Sequence, residues 1–197
     1  MNRQPTLRTE RLLLRPFQPS DAAAVQQLAS AYEVALNTAS IPHPYPDGAA
    51  EGWIAMLPEQ FEKGELHNFA MVFGEHLIGS IGLMMKGDGI AEIGYWVGVP
   101  FWGRGYASEA GRELVRYGFE ECGLRRIYAG HYGRNAPSGR VLQKLGMQYE
   151  GTLRQHMYKW GEYLDVVYYG LLRDEWLSSA TLRTPDGDGE DRNSAGR

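Results

Sequence analysis

The stretch VGVPFWGRGYASEAGRELV, Val97 to Val115, decides how the chain is read. An apolar strand runs into it, and Pro100 stops that strand because proline has no amide hydrogen to give a ladder. Gly103 and Gly105 then permit a tight turn whose main-chain amides are not covered by side chains. Behind the turn the pattern becomes helical, with Ala107, Ala110, Gly111, Leu114, Val115 and Gly118 on one face. The start of a helix leaves unpaired N–H groups and a partial positive charge, so a strand, a glycine turn and a helix together make a cradle for phosphate. The plainer reading is that the glycines merely let strand and helix pack closely. A Walker loop needs GxxxxGK followed by Ser or Thr, and the chain has none. A dinucleotide fingerprint needs a third glycine where Ser108 stands and an acidic end to the next strand, which instead closes on Ala129, Gly130 and His131.

Upstream of this turn, Thr9 to Phe17 reads as a first strand ended by Pro16 and Pro19. Ser20 offers a helix cap, and Val25, Leu28, Ala29 and Tyr32 recur at helical spacing. Ile41 to Pro46, with three prolines, is a stiff loop. Asp47 can cap a second helix with the stripe Ala50, Trp53, Ile54, Leu57 and Phe61, which Pro58 should kink or split. Asn68 to Phe73, Leu77 to Leu83 and Ile90 to Val97 are strands joined by turns short enough to make them antiparallel neighbours.

Downstream come a strand at Arg126 to His131, a short helix at Ala136 to Leu145, and strands at Met147 to Thr152, Leu153 to Lys159 and Tyr163 to Leu172, with Trp160 and Gly161 turning the last hairpin. Glycines 94 and 98 inside an apolar strand point to a bulge, which would free main-chain donors. The expected architecture is one α+β domain over residues 5–180, with a disordered tail from Thr184 to Arg197 that has almost nothing to bury.

Composition fits that reading. A chain of 197 residues with 43% hydrophobic and 22% charged side chains can bury a core. A net charge of −4 argues against nucleic-acid binding by bulk electrostatics. The N-terminus carries no signal-peptide pattern, and no apolar run is long enough to span a bilayer, so a cytoplasmic protein without membrane contact is expected. Cys122 is the single cysteine, which rules out an internal disulfide and a cysteine-built zinc site. The five histidines, at 43, 67, 76, 131 and 156, show no metal-binding spacing, and no metal is expected.

WGRGYASEA resembles the pyrophosphate signature of the GNAT acetyltransferase superfamily, Gln or Arg, two residues, Gly, one residue, then Gly or Ala, with Trp102, Gly105 and Ala107 at those positions. NAPSGRVLQKLGM resembles the second half of that family's cofactor site through Asn135, Ser138, Leu145 and Gly146. The opening TERLLLRPF, the strand EIGYWV and the closing DVVYYGLLRDEW resemble the branch that includes the ribosomal-protein alanine N-acetyltransferases. Trp102 departs from the broader pattern, removing a polar contact and adding an aromatic wall.

The resemblance implies a GNAT-like fold, a mixed and mostly antiparallel sheet flanked by helices with splayed central strands. It implies acetyl-CoA as acetyl donor, its pyrophosphate on the amides of Gly103, Arg104, Gly105, Tyr106, Ala107 and Ser108. The pantetheine arm would lie along the strand ending at Val97 to Val99, in the gap between splayed strands, with Asn135 bonding the arm's amide.

Amine attack on a thioester needs positioning, an oxyanion donor and a route for protons. Glu92, a carboxylate in an apolar strand, is the candidate base, and burial would raise its pKa toward a working range. The resemblance makes Ser138 the candidate acid for the leaving thiolate, against the alternative of a hydroxyl that satisfies helix donors. His43, Tyr45, Trp53, Tyr95 and Trp160 are candidates for an acceptor pocket. Cys122 reads as a packing or solvent-facing thiol. The expected activity is transfer of an acetyl group from acetyl-CoA to a primary amine, with the α-amine of a peptide N-terminus favoured over lysine. A small-molecule amine, or a non-catalytic acetyl-CoA-binding module, is the alternative. Exposed aromatics leave a homodimer open.

Overall fold

A computed structural model describes residues 3–181. The tail expected from Thr184 lies outside them. The strands are β1 (Leu7–Arg8), β2 (Leu12–Arg15), β3 (Leu66–Phe73), β4 (His76–Gly87), β5 (Ile90–Val97), β6 (Arg126–Tyr132), β7 (Gln148–Lys159) and β8 (Glu162–Leu172). They form one sheet in the order β1-β2-β3-β4-β5-β6-β8-β7. Every pairing is antiparallel except that of β5 with β6. The helices are α1 (Ala22–Ala29), α2 (Tyr32–Leu36), α3 (Ala49–Glu62), α4 (Tyr106–Glu120), α5 (Ala136–Lys144) and α6 (Arg173–Thr181). This is the mixed, mostly antiparallel α+β sheet that the sequence implied.

Alternation along the strands divides the core in two. Phe69, Met71, Ile81, Leu83, Ile93 and Ile127 pack with Ala110, Leu114 and Val115 of α4 on one face. Ala70, Val72 and Leu77 pack with Val25 of α1 and Ala50 and Ile54 of α3 on the other. The central strands β3 and β4 thus bury both of their side-chain rows.

Local differences from the sequence reading have physical causes. The first strand is two short ones, because Thr9 turns the chain: its N–H donates to the Leu12 carbonyl and its hydroxyl oxygen accepts from the Leu12 N–H. Ser20 caps nothing and lies in a single 3-10 turn, Pro19–Asp21, while Asp21 beside it is buried against Arg15 at 2.7 Å. Gly48, left-handed at φ 77°, precedes α3 in place of Asp47. The helix α3 runs unbroken through Pro58: Ala50, Ile54 and Leu57 are buried before it, and Phe61 beyond it packs its ring 4.6 Å from that of His67. The two strands expected between Met147 and Lys159 are one, with a register shift between Leu153 and Met157.

Candidate active site

The site is made by a failure of pairing. The strands β5 and β6 are bonded only at Ile90–Arg126, Ala91–Ile127 and Glu92–Tyr128. Beyond Glu92, β5 keeps β4 as partner to Val97, and β6 keeps β8 to Tyr132, so each has one free edge and the two diverge. A cavity of about 1070 Å³ occupies the gap and is lined from both faces of the sheet. The expected bulge at Gly94 and Gly98 is absent: β5 holds its register against β4 from Ala91 to Val97, and the shift falls between Met85 and Gly87. The free donors come from divergence instead. Gly98 serves packing, since a Cβ there would sit 2.7 Å from Leu28 Cδ2 of α1.

At the mouth of the gap on the α4 side lies the glycine turn. Gly103 and Gly105 are left-handed, at φ 74° and 81°. The Trp102 N–H donates to Val99 and the Glu109 N–H to Gly105, but the amides of residues 103–108 between them have no protein acceptor among the described residues. The Trp102 indole donates to the Val97 carbonyl at 2.6 Å and pins the turn to the end of β5.

A second device holds the turn, and sequence reasoning missed it. Arg11, after the Thr9 turn, donates to the Arg104 carbonyl at 3.2 Å, lies 4.7 Å over the Tyr106 ring, and pairs with Glu109 at 2.6 Å. Glu109 also accepts from the Thr9 hydroxyl and the Arg11 N–H. Burial works to raise its pKa, but these donors outweigh burial and hold the carboxyl below its ordinary range. Ninety-eight residues separate Arg11 from Glu109, so no local pattern could have joined them.

Successive free amides, two left-handed glycines and a helix N-terminus fit a diphosphate. Gly103, Gly105, Tyr106, Ala107 and Ser108 line the cavity, as do Val97 and Asn135. Val99 lies in the 3-10 turn Val99–Phe101 and Arg104 faces Arg11, and neither is part of the lining. Arg140 and Lys144 of α5 bring positive charge to the wall that no motif had flagged.

Within the gap, the Tyr95 hydroxyl meets Ser138 Oγ at 2.7 Å, joining β5 to α5. Tyr95 lines the cavity, as expected, and packs on the α4 side with Ile93, so it faces the cavity from the other side of the sheet than Trp96. Burial pushes its phenol up to about 12, against a smaller opposing effect of the Ser138 bond, so it stays protonated at neutral pH. Asn135 caps α5, its Oδ1 accepting from the Ser138 N–H at 3.2 Å.

Glu92 lines the same cavity from the opposite face, which it shares with Gly94 and Trp96 by alternation. The expectation of a deeply buried carboxylate needs correction. Its side chain is 33% exposed and ion-paired to Lys86 at 2.9 Å, with the Tyr128 hydroxyl donating at 3.4 Å. Strand alternation places Glu92 beside Met84 at the flank of the sheet, where the turn-proximal Lys86 reaches it.

Beyond Glu92, the same cavity is lined by Val25, Val34, Ile41, Tyr45, Trp53 and Trp96. His43 and Trp160 are not in its lining. They cluster with Tyr32, whose ring is 5.3 Å from His43 and 5.5 Å from Trp160. The neighbouring Lys159 donates to the carbonyls of Ala35 and Thr38, and Arg134 donates to that of Leu36. These contacts fasten the end of β7 and the loop after β6 to residues 35–38, where the 37–42 segment that lines the cavity begins. Cys122 lies outside the lining, 3.6 Å from His67 Nδ1, with its thiol pushed up by burial.

Comparison with known proteins adds to this geometry. Residues 11–148 match the family described as "Acetyltransferase (GNAT) domain". The chain is 36% identical over 178 residues to "Uncharacterized N-acetyltransferase p20" of Bacillus licheniformis, covering 87% of this chain and 98% of that one. It superposes on a GNAT-family acetyltransferase from Bacillus anthracis with TM-score 0.76 and 28% identity, over 86% and 99% of the two chains. RimL, a ribosomal L7/L12 alpha-N-protein acetyltransferase solved with coenzyme A, gives TM-score 0.80 at 20% identity over 87% and 99%, a likeness of fold alone.

Proposed function

Because the chain belongs to the GNAT acetyltransferase family and is an acetyl-CoA-dependent N-acetyltransferase, we propose that its acceptor is a primary α-amine, that of a peptide N-terminus or of an amino-acid-like molecule. One observation carries the proposal. The divergence of β5 from β6 joins the unpartnered amides of the 103–108 turn to a chamber on the opposite face, and Glu92 stands where the divergence begins.

Acetyl-CoA brings an acetyl group on a thiol that leaves readily, of pKa roughly 8.5 if it resembles cysteine. The protein's residues then have four tasks. The turn amides hold the diphosphate, with Arg11 fixing the turn's shape. The free edge of β5 beyond Glu92 offers main-chain donors to the thioester oxygen as it gains negative charge. Glu92 accepts a proton from the attacking amine, whose nitrogen bonds to the carbonyl carbon while the carbon–sulfur bond breaks. Ser138, hydrogen-bonded to the protonated Tyr95, supplies a proton to the departing sulfur.

The preference for an α-amine follows from proton availability. At pH 7 about a tenth of an α-amine is neutral, against under a thousandth of a lysine amine, from pKa values near 7.7–8.0 and about 10.4. A single carboxylate, itself shared with Lys86, suits the acceptor that needs less deprotonation. The RimL structure, whose protein is named an alpha-N-protein acetyltransferase and holds coenzyme A, is consistent with this reading. A Glu92 pointing away from the cleft and a Ser138 out of reach of the thioester would favour the non-catalytic alternative; that both residues line the cavity supports the enzyme.

The test is thiol release from acetyl-CoA with peptides whose N-terminus is either free or blocked and which contain an internal lysine. Turnover with the free N-terminus and none with the blocked peptide is expected. Equal rates with both would overturn the α-amine assignment.

A further inference from the structure

Glycine weakens a strand interior, so a strand glycine calls for a reason. For most glycines of this sheet the reason is steric. A Cβ at Gly79 would lie 2.2 Å from the Trp96 carbonyl oxygen, at Gly82 2.9 Å from Asn68 Oδ1, and at Gly130 3.0 Å from Val166 Cγ1. Gly94 is different: nothing lies within 4 Å of an added Cβ, and its φ is outside the left-handed region. Neither packing nor backbone conformation demands glycine there, and a valine would suit the strand better.

The open space is part of the chamber. Gly94 pairs with Gly82, which pairs with Asn68, so a shallow trough opens at Gly94 on the face turned to α1 and α3 and is closed at Gly82 by the Asn68 side chain. Trp96 and Ser80 border it on one side, Glu92 and Met84 on the other, and Ile41, Tyr45 and Trp53 belong to the same lining. Among all the lining residues Glu92 is the one acid. A second ammonium carried into this chamber would lose its hydration without gaining a counter-charge.

We infer that Gly94 is a specificity-determining position and that the acceptor is a monoamine with an aromatic or branched apolar body. Its amine lies at Glu92, and the body covers Gly94 between Trp96 and Met84. The inference rests on the α-amine transfer reading above and adds the chemistry of the group attached to that amine.

Thiol release tests it with four α-amines: phenylalaninamide, glycinamide, norleucinamide and lysinamide. The native protein is expected to favour phenylalaninamide over glycinamide, and norleucinamide over lysinamide, each by about tenfold in kcat/KM. Gly94→Val should lower the phenylalaninamide-to-glycinamide ratio by about tenfold, with the KM for acetyl-CoA unchanged. Gly94→Ala, which adds a single methyl, should move the ratio the same way by less and serves if the valine variant does not fold. An unchanged ratio in a folded variant, or a native preference for lysinamide, overturns the inference while leaving the transfer reading intact. Binding of acetyl-CoA in calorimetry without turnover of any amine overturns both.

Discussion

Arg11→Met tests how the cofactor turn is held. The substitution keeps length and apolar stem but removes the pair with Glu109 at 2.6 Å and the bond to the Arg104 carbonyl. Breaking a fully buried ion pair from one side costs roughly 3–5 kcal/mol. Here Arg11 is 40% exposed while Glu109 is 10% exposed, and Glu109 keeps the Thr9 hydroxyl and the residue-11 N–H. The expected loss is therefore nearer that of one charge-assisted hydrogen bond, about 1–2 kcal/mol. In a domain of this size that is a fall in Tm of about 2–8 °C.

The functional effect should separate from the stability effect. Without Arg11 the turn loses its tie, and the Glu109 carboxylate in the first turn of α4 is no longer neutralised beside the proposed diphosphate site. The KM for acetyl-CoA should rise about tenfold, equivalent to about 1.4 kcal/mol, with kcat and the acceptor KM unchanged, in steady-state thiol release. Glu109→Gln is the discriminating partner, because it leaves Arg11 positive without its counter-charge. Its KM for acetyl-CoA should not rise, although its Tm falls. A normal acetyl-CoA KM in folded Arg11→Met, or equal rises in both variants, would refute the reasoning. The pH dependence has a definite sign. Because the folded Glu109 carboxyl is held below its ordinary range, its stabilisation is fully present above the ordinary carboxyl pKa of about 4.3 and disappears as pH falls through the lower folded value. Glu109→Gln should flatten that part of the stability curve.

Other substitutions address other parts of the site. Gly105→Glu puts a carboxylate among the free amides and should abolish acetyl-CoA binding in calorimetry; Gly105→Ala, matched for the left-handed φ of 81°, should cost only about 1–2 kcal/mol in stability, and normal affinity in the glutamate variant would exclude the turn as the diphosphate site. Tyr95→Phe should lower kcat about tenfold with little change in either KM, and because the phenol is pushed up to about 12, the native pH–rate profile should show no basic limb from Tyr95 below about pH 10. Lys86→Met removes the ammonium that competes for Glu92 at 2.9 Å, so the acceptor KM should fall severalfold, while stability shifts by only about 0–1 kcal/mol, as for a pair that is a third exposed.

Local pattern carried the strand-turn-helix at Val97 to Val115 because everything needed there is contiguous: the strand, its proline stop, the glycines and the amphipathic face. The same holds for the hairpin turn at Trp160 and Gly161, between β7 and β8. What pattern could not carry depends on chain segments that meet only after folding. The Arg11–Glu109 tie, the Tyr95–Ser138 bond and the Lys86–Glu92 pair join residues 98, 43 and 6 positions apart, on different elements or across a turn. Tyr95 illustrates the limit. Its aromatic character identified it as pocket material, but the parity of its position relative to Ile93, not its chemistry, determines which face of the sheet it serves.

The two glycines expected to form a bulge show the same limit from the other side, and lead to the reason the site lies where it does. Parallel neighbours require a crossover connection, and between β5 and β6 that crossover is α4. The chain must therefore turn from the end of β5 into the start of a helix at the very edge where β5 has lost β6. Topology thus places a helix N-terminus with free amides and an unpaired strand edge side by side. The first is a set of unsatisfied donors and the second a row of unpaired donors and acceptors, and an extended molecule with a diphosphate at one end and amide groups along its length can satisfy both together. On the opposite face the same divergence leaves Glu92 as the last paired residue before the gap, so a base placed there meets whatever crosses the sheet. On the proposed assignment donor and acceptor lie on different faces and meet only through the gap, so a change on one face, at Arg11 or at Gly94, should be read in the KM of one substrate alone.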